Sequence, residues 1–261
     1  MKGIILAGGL GTRLSPLTKV ASKQLLPVYD KPLIFYSLST LMLANIKEIL
    51  IISTPTHIDE FKKLISDGAD FGCKISYEIQ KNPAGIAESL IIAERFLNGS
   101  KCLLALGDNI FHGPGLGRKL ADFKDINGSQ VFGYKVSDPS KYGIASLNDK
   151  GEIVSLVEKP EKSLSSIAIL GLYFFDETAS DRAKKLSPSK RNELEILDLL
   201  KSYLVENLLK IEMLPRGTAW FDCGSFDDLH EASSYVRLMQ NRTGESVGNP
   251  IQIAGLRGWI N

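Results

Sequence analysis

The chain has 261 residues, enough for one large α/β domain or one such domain with a small appendage. Lys plus Arg number 31 against 30 for Asp plus Glu, a formal charge of +1 with no basic stripe or long charge run, which argues against nucleic acid or a membrane surface as partner. Cys73, Cys102 and Cys223 are widely spaced without C-x-x-C pairing, which argues against a disulfide framework or structural zinc. Glycines interrupt the opening apolar run where a signal peptide would lie, and no apolar stretch approaches the roughly 20 residues that cross a bilayer, so a soluble cytoplasmic protein is expected.

In chain order, residues 2–6 read as a buried strand that empties into Gly8-Gly9-Leu10-Gly11-Thr12-Arg13. Glycine lets backbone N–H groups approach a phosphate, and arginine presents a fork of donors matched to phosphoryl oxygens. The loop lacks the Gly-Lys-Ser/Thr ending of a P-loop, and Leu14 stands where a dinucleotide fingerprint requires its third glycine. Ser22-Lys23-Gln24-Leu25-Leu26-Pro27 then adds a second cation. A helix is predicted over 33–44, a strand over 48–53, a helix over 58–66, a strand over 74–79, a helix over 86–97 and a strand over 102–106. Continuous apolar runs such as Ile49-Leu50-Ile51-Ile52 suit strands covered on both faces, and the alternation predicts a doubly wound, mainly parallel, Rossmann-like α/β sheet.

The second half changes character, with strands predicted over 131–136, 143–147, 153–158 and 168–174. Asn148-Asp149-Lys150-Gly151 between two of them is a hairpin signal. Helices follow at 177–186 and 193–207, a strand at 208–214, a loop at 220–224 and a helix at 226–240. This region reads as an inserted antiparallel portion that lays a substrate pocket over the core. The expected organisation is a nucleotide-binding core over 1–135, continuous with a region over 136–261 that the family resemblance given below marks as sugar-phosphate-binding and oligomerising.

Asp108 ends an apolar strand, where a carboxylate suits Mg²⁺, a hard ion that favours one or two carboxylates, waters and phosphate oxygens. Asp222, in Trp220-Phe221-Asp222-Cys223-Gly224, repeats the arrangement, and the two acids are candidates to share one metal. Glu158-Lys159-Pro160 closes another strand, with an acid for sugar hydroxyls and a lysine for a phosphate. His57, His112 and His230 show no metal-ligand or nucleophile spacing and are given no catalytic role.

Together these residues resemble the glucose-1-phosphate thymidylyltransferases and, more broadly, the nucleoside-diphosphate-sugar pyrophosphorylases. The resemblance is carried end to end by the loop at Leu6–Leu14, Ser22-Lys23-Gln24-Leu25-Leu26-Pro27, Gly107-Asp108-Asn109-Ile110-Phe111, Glu158-Lys159-Pro160, Gly171-Leu172-Tyr173 and Glu193-Leu194-Glu195-Ile196. It implies in-line attack of a sugar 1-phosphate oxygen on the α-phosphorus of dTTP, with pyrophosphate leaving and Mg²⁺ as cofactor, catalysed by positioning and charge stabilisation. By the same resemblance Arg13, Lys23, Asp108 and Lys159 are catalytic. Leu6, Gly8, Gly9, Gly11, Thr12, Arg13, Gln80, Gly85 and Asp108 hold the nucleotide. Asn109, Tyr142, Gly143, Glu158, Lys159, Gly171, Tyr173, Arg191, Glu193 and Trp220 line the sugar phosphate, while Asp108 and Asp222 bind the metal. A homodimer or homotetramer is also implied.

Three departures bear on specificity. The base-reading loop is Asn82-Pro83-Ala84-Gly85, without the family's usual acid before the glycine, which leaves UTP as an alternative to dTTP. Leu170 and Leu197 replace threonines near the implied sugar pocket, so a deoxy sugar or another sugar 1-phosphate is an alternative to glucose 1-phosphate. Many relatives continue past the last residues of this sequence into helices that help form an allosteric site, so feedback by that route is expected to be absent or altered. Uridylyl transfer and a non-catalytic nucleotide-sugar sensor remain the alternatives; the sensor would normally have lost Arg13, Lys23, Asp108 or Asp222, and all four stand. A C-terminal acyltransferase would need a hexapeptide repeat, which the sequence lacks.

Overall fold

The computed structural model describes residues 1–9 and 11–260; Leu10 of the glycine-rich loop and Asn261 lie outside the described residues. The chain divides into two compact units: Met1–Pro83 with Ala105–Asp122 and Gly217–Asn261, and Ala84–Leu104 with Phe123–Arg216.

In the first unit, Lys2–Ala7, Glu48–Ser53 and Lys74–Ile79 lie parallel with Glu48–Ser53 in the middle. Gly3 stands opposite Ile49 and Ala7 opposite Ser53, so the three strands end together at their carboxyl edge. Ile49 to Ile52 are all buried, as an apolar run covered on both faces should be. The crossovers are the helices Ile34–Leu43, almost wholly buried, and Ile58–Ile65, which buries Ile58, Phe61 and Ile65 and keeps its charges outward. This is the parallel α/β arrangement that the alternating pattern predicts. Tyr36, Leu33, Val28 and Leu14 share a further buried cluster with Leu229, Ala232 and Val236 of the Phe226–Thr243 helix.

The second unit is mainly antiparallel. The predicted hairpin forms between Gly143–Leu147 and Ile153–Glu158, with Asn148 Oδ1 accepting from the backbone N–H groups of Lys150 and Glu152. Ile167–Phe175 pairs with Gly143–Leu147 and with Ser129–Lys135, and Leu209–Met213 joins Ser129–Lys135 in parallel. Phe132, Phe174, Phe175 and Tyr203 fill its core.

Several expectations are corrected. The loop expected at 220–224 begins in a strand, Ala219–Phe221, paired antiparallel with Ile110–His112; three residues carry too little pattern to reveal a partner more than a hundred positions away. The helix expected over 86–97 is two short ones, Glu88–Ile92 and Glu94–Leu97, and it starts only at Glu88 because Ala84 O and Ala87 N–H are engaged by the backbone of Leu194. For the same reason the helix expected from 193 starts only at Ile196. Helices Leu116–Ala121 and Pro250–Leu256 were not anticipated.

Candidate active site

The nucleotide-side residues gather where the parallel strands end. Gly8 follows Lys2–Ala7, and its bare α-carbon lies beneath the Gln80 carboxamide, which a β-carbon there would strike. Gln80 is 2% exposed and donates its backbone N–H to Ser53 O at 2.8 Å, so the end of the neighbouring strand fixes it over Gly8. Gly9 faces open space; Gly11 opens the 3-10 turn Thr12–Leu14, whose buried Leu14 anchors the loop while Arg13 stays exposed. Leu6 O accepts from Gly107 N–H at 2.9 Å, so the loop and the segment bearing Asp108 are tied together by backbone.

Lys23 is 6% exposed, yet its ammonium is well partnered: Nζ donates to Asp108 Oδ2 at 2.7 Å and to the backbone oxygen of Asp222 at 3.3 Å. The Ile110–His112 and Ala219–Phe221 ribbon explains the meeting of residues so distant in sequence. Phe221 stands opposite Ile110 and Trp220 opposite Phe111, so Asp222 follows one strand beside the point where Asp108-Asn109 leads into the other. Asn109 Nδ2 donates to Asp108 Oδ1 at 2.7 Å, and Trp220 Nε1 donates to Asn109 Oδ1 at 2.7 Å. The Arg13 guanidinium lies against Gly224, just past Asp222.

Burial raises the Asp222 carboxyl above its ordinary range, and the neighbouring Asp228 and Asp108 add to the rise while Lys23 and Arg13 oppose it. Arg13, Lys23, Asp108, Asp222 and Asp228 thus share one electrostatic environment. Asp228 was missed by sequence reading. The signal was a Ser225-x-x-Asp228 helix start: Ser225 Oγ accepts from Asp228 N–H at 3.2 Å and donates to its Oδ2 at 2.7 Å. A buried carboxylate crowded by two others suits a hard divalent cation. Among the described residues no group of three or more His, Cys, Asp or Glu forms a cage, so such an ion would complete its shell with substrate oxygens and water.

The second unit carries the sugar-phosphate candidates other than Asn109 and Trp220, which belong to the first. Gly143 lies opposite Glu158 in the hairpin, and Tyr142 O accepts from Lys159 N–H at 2.9 Å. Lys159 adopts φ 43°, a turned-back geometry just past the strand, with its ammonium 3.4 Å from Glu158 Oε1. Arg191 is gripped through two nitrogens by Glu195, Nε to Oε1 at 3.2 Å and Nη2 to Oε2 at 2.9 Å, and also lies near Glu193 and Glu158. Hydrogen bonding to Glu195 raises the guanidinium's already high pKa further. Glu195, absent from the sequence candidates, is itself held by Ser189 Oγ at 2.6 Å.

Gly85 has φ 106° and packs directly on the Leu194 backbone. Gly171 lies in the buried Ile167–Phe175 strand, within a register shift between Ile169 and Tyr173; Tyr173 is 4% exposed and stacks on Phe175. The three cysteines are unpaired and buried. His112 is bonded to Tyr235 Oη at 2.7 Å.

The Nucleotidyl transferase family model matches residues 2–237. The chain is 49% identical over its whole length to a glucose-1-phosphate thymidylyltransferase of Mycolicibacterium smegmatis, covering 91% of that protein. It is 51% identical to one from Xanthomonas campestris pv. campestris, covering all of this chain and 88% of the relative. A crystal structure of a putative glucose-1-phosphate thymidylyltransferase from Bacillus anthracis, in complex with a sucrose, aligns with a TM-score of 0.84 at 34% identity, covering 91% of this chain and 95% of that one. A UDP-glucose pyrophosphorylase complexed with UDP-glucose aligns with a TM-score of 0.80 at 25% identity, over 91% and 98%. Among the described residues no helix is long and apolar enough to cross a membrane.

Proposed function

The chain belongs to the nucleotidyl transferase family, and from that premise we propose that it is a sugar-1-phosphate nucleotidylyltransferase that makes dTDP-glucose, or a related dTDP-sugar, from dTTP. A phosphate oxygen of the sugar 1-phosphate forms a bond to the α-phosphorus of dTTP as the bond to pyrophosphate breaks. The observation that carries this reading is the meeting of Lys23, Asp108 and Asp222, with Arg13 alongside, at the edge of the parallel strands.

The reaction needs no covalent help from the protein, only alignment and relief of charge. Arg13 neutralises charge that grows on the leaving pyrophosphate, and Lys23 places an ammonium between the leaving and attacking phosphates. Gly8 lets the Gln80 carboxamide close down on the loop, and that carboxamide reads the base edge. Lys159 and Arg191 hold the sugar phosphate, with Glu195 fixing the direction of Arg191, while Glu158 accepts from a sugar hydroxyl. Asp108 and Asp222 would hold Mg²⁺, which when bound supplies positive charge to the α-phosphate. A homodimer or homotetramer in the cytoplasm completes the reading, drawn from the family resemblance.

A second reading, UTP in place of dTTP, is favoured by one observation: Ala84, not an acid, precedes Gly85 in the loop that packs on Leu194. A pyrophosphate-release assay crossing dTTP, UTP and CTP with a panel of sugar 1-phosphates decides between them. Turnover highest with dTTP and glucose 1-phosphate supports the first reading. No turnover with any pair, magnesium present, would leave a nucleotide-sugar sensor as the better account.

A further inference from the structure

Asn109 is 3% exposed, and both ends of its carboxamide are engaged inside the protein. An indole N–H only donates, so the atom that meets Trp220 Nε1 at 2.7 Å has to be the Asn109 oxygen. The NH₂ end is therefore turned toward Asp108 Oδ1, also at 2.7 Å. With Oδ1 so occupied, Asp108 presents Oδ2 to Lys23. Trp220 reaches Asn109 because the ribbon that brings Asp222 to Asp108 sets Trp220 opposite Phe111, two residues past Asn109.

We propose that Asn109 and Trp220 are positioning residues: Trp220 fixes the Asn109 amide, and Asn109 in turn holds the Asp108 carboxylate so that Oδ2 is the oxygen offered to a cation. This rests on the reading of Asp108 as a metal ligand. A ligating carboxylate that must exchange an ammonium for a divalent ion gains from a fixed partner on its other oxygen, because the donor geometry is then set before the ion arrives. The device also gives the buried amide a use that contact with the sugar phosphate does not require.

The test uses the intact protein titrated with Mn²⁺ alone, with the free ion followed by electron paramagnetic resonance. Asn109→Leu is expected to weaken Mn²⁺ binding about tenfold or more, and Trp220→Phe by less. The double variant should be no weaker than Asn109→Leu alone, since Trp220 acts only through Asn109. In turnover assays excess Mg²⁺ should restore kcat toward wild type, which a general folding defect would not produce. Should Asn109→Leu fail to fold, Trp220→Phe keeps the ring and reads the same effect. Wild-type Mn²⁺ affinity in both variants, or additive losses of Mn²⁺ affinity in the double variant, overturns the inference. Asp108→Asn separates the two levels. If it loses Mn²⁺ while the other variants keep it, only the positioning role fails; if it binds Mn²⁺ as the wild type does, the metal assignment fails as well.

Discussion

The guanidinium of Arg13 rests on the bare α-carbon of Gly224, where a β-carbon would lie 3.0 Å from Nη2 and 3.1 Å from Nη1. Arg13 is exposed, so this contact from the far end of the chain limits where its charge can sit. Gly224→Ala should push the guanidinium aside by a few tenths of an ångström and lower kcat by about 2- to 10-fold, because a misplaced charge-stabilising group loses part of its effect. Steady-state kinetics of the single and double variants checks this: Gly224→Ala should add little once Arg13 is alanine, and two additive losses would show that Gly224 acts elsewhere.

Lys23→Met keeps an unbranched side chain of nearly the same length and removes the ammonium that Asp108 and the Asp222 backbone share. Turnover should fall about 10²-fold or more, the cost of deleting one preorganised charge at a phosphoryl-transfer centre. Arg13→Ala should fall by a similar factor. Near-normal rates for both would remove the phosphate assignments.

Asp222 gives a pH prediction. Its folded carboxyl holds a proton above the ordinary value of 3.8, chiefly through burial and then through Asp228 and Asp108. The protonated form therefore favours folding, and that contribution is lost as pH rises through the folded value, leaving an ionised group that opposes folding at neutral pH. Metal-free Asp222→Asn should melt higher than the wild type at pH 7, with the gap narrowing toward pH 4, while its magnesium-dependent turnover is lost. A lower melting temperature at pH 7 would contradict the stated balance of charges.

Glu195→Gln should leave Arg191 with one weakened partner in place of a two-point grip. The expected result is a KM for sugar phosphate raised about tenfold with the KM for nucleotide little changed, since a fixed guanidinium loses less entropy on binding a phosphate. Equal effects on both KM values would point to a wider disturbance.

Gly85→Ala places a β-carbon 2.6 Å from Leu194 N at a residue with φ 106°. The strain should cost about 1–3 kcal/mol, read as a lower denaturant midpoint with an unchanged slope.

The legible and illegible parts of the site divide by length scale. Arg13, Asp108 and Glu158 were readable because each stands just past or at the end of an apolar strand or in a glycine-rich loop, and Lys23 because it precedes the apolar, proline-limited run Leu25-Leu26-Pro27; those local patterns persist in the fold. Asp228 and Glu195 were not, because their sequence neighbourhoods describe ordinary helix starts. Only the fold sets one beside Asp222 and bonds the other to Arg191 and Ser189. The ribbon at Ile110–His112 and Ala219–Phe221 is the extreme case, since neither three-residue strand has a pattern of its own.

The order of elements was set by the sequence alone. Continuous apolar runs such as Ile49-Leu50-Ile51-Ile52 demand cover on both faces, and Asn148-Asp149-Lys150-Gly151 demands a reversal, because burial and turn geometry act over a few residues. Which charges meet was decided by the tertiary structure. The pairing of Phe221 with Ile110 sets the Asp222 backbone and Asp108 around one lysine, and that register rests on backbone hydrogen bonds between segments more than a hundred residues apart.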